Sequence, residues 1–305
     1  MESHCSTQTL KTPHDLIASI EAREHQFFIE VPEPWNRIYG LSPSFPKGLV
    51  SVLQEFIKQC PKTSVSIFAP DAEYSQTDLS RLIYLRRRKD LVAYERMEFL
   101  LSPERITELL GECLQTPGGP VTEALSVFQV FEPSVQDVFV CVHGARDQCC
   151  GLFGKELYHS LRGDPVLRDR GLRIFRCSHI GGHRYAPTFL EASALRCWGQ
   201  ATGDRALQIL QRSGEVDSVL DYYRGSALLA DPLQQVAERE MLRRYGWDWF
   251  SFRNVSYVTE DSQVLVRFEN GEHRVHIERA EPVALKANCD EETVSMFPQY
   301  RSETL

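Results

Sequence analysis

The sequence predicts an α/β chain of two similar halves in tandem, followed by a small antiparallel β extension. Three observations predict it. Short apolar, β-branched and aromatic runs alternate with segments of helical spacing. The order of these elements between residues 27 and 114 resembles the order between residues 137 and 223. The last stretch carries an Asn270-Gly271 hairpin signal between two alternating runs. At 305 residues the chain is long enough for two ordinary domains.

Phe27 to Val31 reads as a strand, closed by the turn Pro32-Glu33-Pro34-Trp35. Gly48 to Gln59 has helical spacing through Leu49, Val52, Leu53, Phe56 and Ile57. Ser64 to Ala69 is a strand stopped by Pro70-Asp71, and Arg81–Leu85 and Met97–Leu101 are two more. Ser102 as N-cap, Pro103 at the first helical position and Glu104 in the first turn open a helix that runs to Leu114. Strand, helix, strand, strand, strand, helix is the order of a thioredoxin-like unit.

Pro117-Gly118-Gly119-Pro120 marks a break. Beyond it come a strand over Asp137–Val142, a helix over Gly154–Leu161, and strands over Leu172–Cys177 and Leu195–Gln200. Asp204–Arg212 and Val216–Tyr223 read as helical. The repeated order suggests a second thioredoxin-like unit, although the two halves share no sequence self-similarity. A helix over Pro232–Tyr245 and strands over Val255–Thr259, Gln263–Phe268 and His273–Glu278 complete the chain. The expected units are residues 1–132, 133–230 and 231–305. The first fourteen and last five residues are polar and show no pattern.

The net charge of −8 argues against a broad nucleic-acid or membrane surface. The run Arg86-Arg87-Arg88-Lys89 is a local exception, read as a solvated turn or helix start, with docking of an acidic partner as the sharper alternative. No apolar stretch is long enough to span a bilayer. The N-terminus lacks the basic region and apolar core of a secretory signal, and its acidic residues disfavour a transit peptide. A cytoplasmic location is expected.

Nine cysteines in such a chain read as buried thiols plus a metal or redox site, not a disulfide framework. No pair has Cys-x-x-Cys spacing, which removes dithiol chemistry and zinc-ribbon knuckles. Four of the nine lie between positions 141 and 177. There, Cys141-Val142-His143-Gly144-Ala145-Arg146-Asp147-Gln148-Cys149-Cys150-Gly151 leaves one strand end, and Cys177-Ser178-His179-Ile180-Gly181-Gly182-His183-Arg184 leaves another. Loops at strand ends of one open sheet can converge on one site. Thiolates with imidazoles suit zinc, copper or an iron-sulfur cluster. Eight residues between Cys141 and Cys150 are long for a zinc knuckle, and a binuclear cluster tolerates the wider loop. Glycines at 144, 151, 181 and 182 would let backbone approach such a group. The Gly-Gly pair between His179 and His183 excludes a helical metalloprotease motif, whose glutamate is also missing. Cys141 to Arg146 is one residue short of a phosphatase-type cradle with a cysteine nucleophile.

These residues resemble the sucrase/ferredoxin-like family of thioredoxin-like ferredoxins. The family pattern C-x-H-G-x-R-D-x-x-C-G matches Cys141 to Gly151, and S-H-x-G-G-H-R-(F/Y)-A-P matches Ser178 to Pro187. Weaker matches are Val31 to Trp35, Tyr223-Arg224-Gly225 and Phe297-Pro298-Gln299-Tyr300, so the likeness covers nearly the whole chain. The resemblance implies that the second unit is a thioredoxin-like ferredoxin domain with a [2Fe-2S] cluster, cysteines on one iron and histidines on the other. Carried over by position, the ligands are Cys141, Cys150, His179 and His183. The family cysteine directly precedes the glycine, which selects Cys150 and leaves Cys149 a bystander or spare ligand.

His143 is not carried over as a ligand and reads as a supporting group. Arg146 and Arg184 flank the ligands; Arg146 is expected to pair with Asp147 and hold the loop. Cys177 reads as a core thiol or rescue ligand; Cys60, Cys113 and Cys197 as core or near-surface thiols. The four tryptophans read as core anchors, and Cys289 resembles a family position of unknown role. Two neutral imidazoles in place of thiolates raise the potential of such a cluster and make it fall as pH rises. The expected function is electron transfer or redox sensing by a non-catalytic carrier, with a redox partner such as a flavoprotein reductase, as a monomer or weak dimer. A structural zinc protein on the same four ligands is the alternative. A sugar hydrolase has no support, because no paired carboxylates stand in a recognisable setting.

Overall fold

The computed structural model describes residues 4–88, 92–115, 128–130, 136–290 and 293–304. The Pro117 to Pro120 break and Lys89 lie outside them. The first half holds helix α1 (Cys5–Leu10), strand β1 (His25–Glu30), helix α2 (Leu49–Gln59), strands β2 (Thr63–Phe68), β3 (Ser80–Arg87) and β4 (Tyr94–Leu101), helix α3 (Pro103–Gln115) and the short β5 (Gln129–Val130). The second holds β6 (Gln136–Cys141), α4 (Gln148–Arg162), α5 (Pro165–Asp169), β7 (Leu172–Cys177), β8 (Thr188–Glu191), β9 (Arg196–Gly199), α6 (Gly203–Gln211) and β10 (Tyr223–Ser226). Helix α7 (Pro232–Tyr245) and strands β11 (Ser256–Glu260), β12 (Gln263–Phe268), β13 (Gly271–Lys286) and β14 (Val294–Thr304) follow.

One ten-stranded mixed sheet runs through both halves in the order β10-β9-β8-β6-β7-β2-β1-β3-β4-β5. In the first half β1 pairs parallel with β2 and antiparallel with β3, which pairs antiparallel with β4. In the second, β6 pairs parallel with β7 and antiparallel with β8, which pairs antiparallel with β9. The two sets meet at one antiparallel joint, Phe68 opposite Cys177. Ser178 extends the joint: its N–H donates to the Ile67 carbonyl at 2.7 Å, and its hydroxyl accepts from the Ile67 N–H at 3.0 Å.

A buried charge network also crosses between the halves. Arg173 donates to Asp137 at 2.7 Å and to Glu98 at 3.0 and 3.1 Å; Arg96 reaches Asp137 at 2.7 Å, and Arg81 also pairs with Glu98. Buried carboxylates need such partners, since an unpaired charge in the interior costs several kcal/mol. On one face of the sheet Phe28 stacks on Phe139 at 3.9 Å between centroids, with Phe68 and Phe175 against Phe139 at 5.5 Å. Cys141, Cys150 and Cys177 belong to the same apolar cluster.

The last four strands form a separate antiparallel sheet, β11-β12-β13-β14. The expected hairpin forms, but Phe268 pairs with Gly271, so the two turn residues are Glu269 and Asn270 in place of Asn270 and Gly271. Strand β13 has 16 residues, more than twice the predicted length, and pairs with β12 through its first part and with β14 from Val275 to Lys286, past an irregularity between Ala280 and Val283. It carries the chain back to the large sheet, where Val283, Leu285 and Phe297 pack with Leu16 and Tyr185.

Several expectations are corrected. The N-terminal segment contains helix α1, and residues 301–304 belong to β14, although both segments looked patternless. Strands β8 and β10 were not expected, and Val216 to Tyr222 is a 3-10 helix. Helix α4 starts at Gln148 instead of Gly154, because Asp147 caps it by accepting from the Cys149 N–H at 2.9 Å. The basic run ends β3, with Arg86 engaged across the hairpin by Glu95 at 3.1 Å. Among the described residues no helix is long and apolar enough to cross a membrane.

Candidate metal centre

Strands β6 and β7 run parallel and in register, with Cys141 directly opposite Cys177 at their C-terminal ends. Both motifs therefore leave the sheet at one edge, side by side. The Val142 N–H donates to the Cys177 carbonyl at 3.0 Å and holds the two chains together one residue further. Helix α4 then turns back over β6. It can do so because residue 154 is glycine: a Cβ there would stand 1.9 Å from the Cys141 carbonyl oxygen. At the turn itself Gly144 and Gly151 touch, and a Cβ on Gly151 would lie 2.7 Å from the Gly144 Cα. These two glycines serve the packing of loop on helix.

Cys141, Cys150 and His179 bring one ligand atom each to within 4.8 Å of one another. His183 stands beside them, its ring centroid 5.1 Å from that of His179. Both cysteines are buried, and the Nδ1 atoms of both histidines are buried without a hydrogen-bond partner. Orphaned buried nitrogens are rare in folded proteins, and two on adjacent imidazoles mark a place where something else supplies the bond. The Nε2 of His183 donates to the Ala287 carbonyl at 2.7 Å, which keeps the proton on Nε2 and leaves Nδ1 with a free lone pair. A hydrogen bond from Cys150 and the neighbouring His179 hold the Cys141 thiol well below its usual range. The same pairing, with burial, pushes Cys150 up. The two thiols are thus hydrogen-bonded to each other in a buried setting.

His143 supports this arrangement. Its Nε2 donates to the Asn36 carbonyl at 2.9 Å, so its Nδ1 accepts from the His179 N–H at 3.3 Å. Both ring nitrogens are thus used, and Trp35 meets the ring edge-on at 5.8 Å. Trp35 is therefore part of the site's wall as well as of the core. Burial holds His143 and His183 below the usual imidazole range. Arg184 donates to the Ala287 carbonyl at 3.2 Å and lies over Phe297 at 3.9 Å. It ties the C-terminal arm to the second motif.

The expected Arg146–Asp147 pair is not formed. Arg146 is exposed, and the buried Asp147 takes its contacts from Cys149, Cys289 and Cys5. Burial would raise the Asp147 carboxyl, but the N–H groups of Cys289 and Cys149 hold it below the usual carboxylate range. Cys149 does not join Cys150. Its Sγ lies 3.6 Å from that of Cys5 and 3.2 Å from that of Cys289. A hydrogen bond from Cys5 lowers Cys149 to about 6, the same bond raises Cys5, and burial pushes Cys289 up to about 12.

Arg224 is a supporting residue that sequence reasoning left unassigned. It is 1% exposed and donates to the Gly181 carbonyl at 2.9 Å, the Ser19 carbonyl at 2.8 Å and Cys197 Sγ at 3.1 Å. A Cβ on Gly182, whose φ is +74°, would meet its guanidinium at 2.5 Å. The Gly-Gly pair of the second motif therefore makes room for this arginine as well as the turn. Cys177 is fully buried, and Cys60 and Cys113 are half-buried.

The profile of sucrase/ferredoxin-like proteins matches residues 16–225, which contain both motifs. The chain belongs to this family. It is also similar over short stretches to two curated proteins named altered inheritance of mitochondria protein 32. The one from Candida glabrata is 39% identical over 56 residues, 17% of each chain; the one from Eremothecium gossypii is 45% identical over 49 residues, 16% of this chain and 15% of the relative. The matched stretch thus spans about a sixth of the curated relatives. No solved structure matches the chain.

Proposed function

We propose that Cys141, Cys150, His179 and His183 hold a [2Fe-2S] cluster and that the protein moves electrons, or senses redox state, through it. The observation that supports this most is the pair of buried, unpartnered Nδ1 atoms beside two buried thiols hydrogen-bonded to each other. The donor set of two sulfurs and two neutral nitrogens fits the group. His183 stands outside the compact trio that one small ion would gather, which favours a two-iron group over a single zinc. When bound, such a cluster supplies a one-electron couple, raised by its two imidazoles relative to an all-thiolate centre.

The chain's own residues have distinct tasks in this reading. The Ala287 carbonyl fixes the tautomer of His183 by holding its Nε2 proton. His143 bridges the Asn36 carbonyl and the His179 backbone, so the two loops cannot slide apart. The phenylalanine layer keeps water from the sulfur side. Loss of an imidazole proton at high pH lowers the potential. We read the protein as a carrier in the cytoplasm, served by a redox partner such as a flavoprotein reductase. We also read the two halves as tandem thioredoxin-like units, divided as 1–132, 133–230 and 231–305; the identical strand pairing around β1 and β6 supports this.

Freshly purified protein should be red-brown, absorb between about 330 and 600 nm and carry iron and acid-labile sulfide in equal amounts. A colourless protein with zinc on these residues and no sulfide sinks the reading. His179→Cys and His183→Cys should keep a cluster while lowering its potential and flattening its pH dependence. An unchanged potential in both would show that the histidines are not ligands.

A further inference from the structure

We propose that Cys5, Cys149, Cys289 and Asp147 form a second, separate metal site that takes a single zinc ion. The site stands whether or not the neighbouring residues hold a cluster. The three sulfurs form a closed triangle with sides of 3.6, 3.2 and 3.5 Å, and the Asp147 carboxylate reaches Cys289 at 3.2 Å and Cys5 at 3.9 Å. All four ligand atoms lie within 4.8 Å of one another, compact enough for one ion. Cys5, Cys149 and Asp147 are buried, and the Asp147 side chain has no exposed surface.

Thiol packing alone does not account for this group. S–H is a weak donor and sulfur a weak acceptor, so three thiols gain little from facing one another. A buried carboxylate among them costs free energy unless a positive charge answers it. The His183 Nε2 stands 3.9 Å from the carboxylate and gives its proton to the Ala287 carbonyl. A dication at the centre would give that carboxylate and the three sulfurs one common partner.

The backbone is arranged for anionic ligands. The Cys5 N–H donates to Cys289 Sγ at 3.4 Å, and the Ser6 N–H donates to Cys149 Sγ. Asp147 receives the Cys149 N–H at 2.9 Å and the Cys289 N–H at 3.0 Å. Three of the four ligands thus carry backbone donors, the outer support that metal thiolates and carboxylates have. Four protein ligands of this compactness match the closed tetrahedral structural site of zinc, and the hard carboxylate oxygen favours Zn²⁺ over Cu⁺. Binding releases the thiol protons to solvent, with no oxidant or reductant involved.

The site would clasp three distant segments: α1, the first turn of α4 and the C-terminal arm. Cys289 follows Ala287, whose carbonyl holds His183, by two residues. The zinc would therefore fix the arm that sets the neighbouring imidazole.

The test is metal analysis of the full-length, untagged protein purified under argon without chelators. About one zinc per chain is expected, with three sulfurs at about 2.3 Å and one oxygen in its X-ray absorption. Cys149→Ala and Cys289→Ala should each lose that zinc and keep the iron of the wild type. Should either fail to fold, the reduced wild-type chain can be titrated with Co²⁺ alone, which should give the visible bands of tetrahedral cobalt thiolate, displaced by Zn²⁺. The proposal is overturned if the reduced chain takes up neither ion against a chromophoric chelator. It is equally overturned if two of these cysteines are joined as a disulfide in the anaerobic protein, or if zinc survives both Cys149→Ala and Cys289→Ala and disappears in Cys150→Ala.

Discussion

Cys149 and Cys150 are neighbours in sequence and belong to different places. They occupy the first turn of α4, where successive side chains point about 100° apart. Cys150 turns inward to Cys141 and His179; Cys149 turns outward to Cys5 and Cys289. The first group draws its members from residues 141 to 183, on two loops leaving adjacent parallel strands. The second draws them from positions 5, 147, 149 and 289, brought together only by folding of both ends of the chain. A site whose ligands share a short window announces itself by spacing. A site assembled from the termini has no spacing to read.

The largest expected effect is all-or-none. Cys150→Ala should lose all iron and colour, whereas Cys149→Ala should lose neither, as metal analysis and the visible spectrum will show. Equal loss from both would mean that the two groups are one site. Next comes the packing that separates them. Gly154→Ala forces a Cβ to 1.9 Å from the Cys141 carbonyl, and Gly151→Ala forces one to 2.7 Å from the Gly144 Cα. Overpacking of this kind costs about 1–3 kcal/mol, with Gly154→Ala at the upper end, measurable by urea unfolding. Gly111→Ala on α3 meets nothing within 4 Å and should stabilise by about 0.5–1 kcal/mol.

Arg224→Met bears on the first group alone. It leaves the Gly181 and Ser19 carbonyls without their donor, at about 1–3 kcal/mol, and should loosen the second motif while zinc in the Cys149 group stays. The smallest effect separates the two groups by pH. His143 and His183 have folded pKa values below their unfolded ones, so their contribution in the metal-free chain is present above about 6.5 and lost as pH falls below it. Asp147 is also depressed, so its contribution holds above about 3.9 and is lost only in stronger acid. Acid unfolding should show the histidine step reduced by His143→Gln, which leaves the His183 part, and the lower step removed by Asp147→Asn.

Much of the large sheet was legible because its central strands are long apolar runs bounded by Pro, Asp and Gly. Strands β8 and β10 were not. Each is four residues long, and Tyr223-Arg224-Gly225-Ser226 places a buried arginine and a glycine at φ +117° where a strand signal would need β-branched residues. Strand β14 carries Pro298 and a polar end, and helix α1 is six residues with no side-chain cap. Their burial comes from partners far along the chain. The convergence of the two motifs was readable from strand-end loops, and their spacing pointed to metal. The choice of Cys150 over Cys149 came from the family resemblance; that Cys149 meets Cys5 and Cys289 was not readable, since it depends on α4 starting at Gln148 and on both ends of the chain.

The aromatic layer has a consequence for any charge placed above it. Phe28, Phe68, Phe139 and Phe175 pack with Cys141 and Cys150 in one apolar cluster of interlocked rings. Such close-packed matter is nearly incompressible. A centre resting on it meets the same surroundings before and after its charge changes, so the reorganisation energy from that side is small. If the proposed cluster is held there, the floor would bear on how fast an electron arrives, and the histidines on the potential.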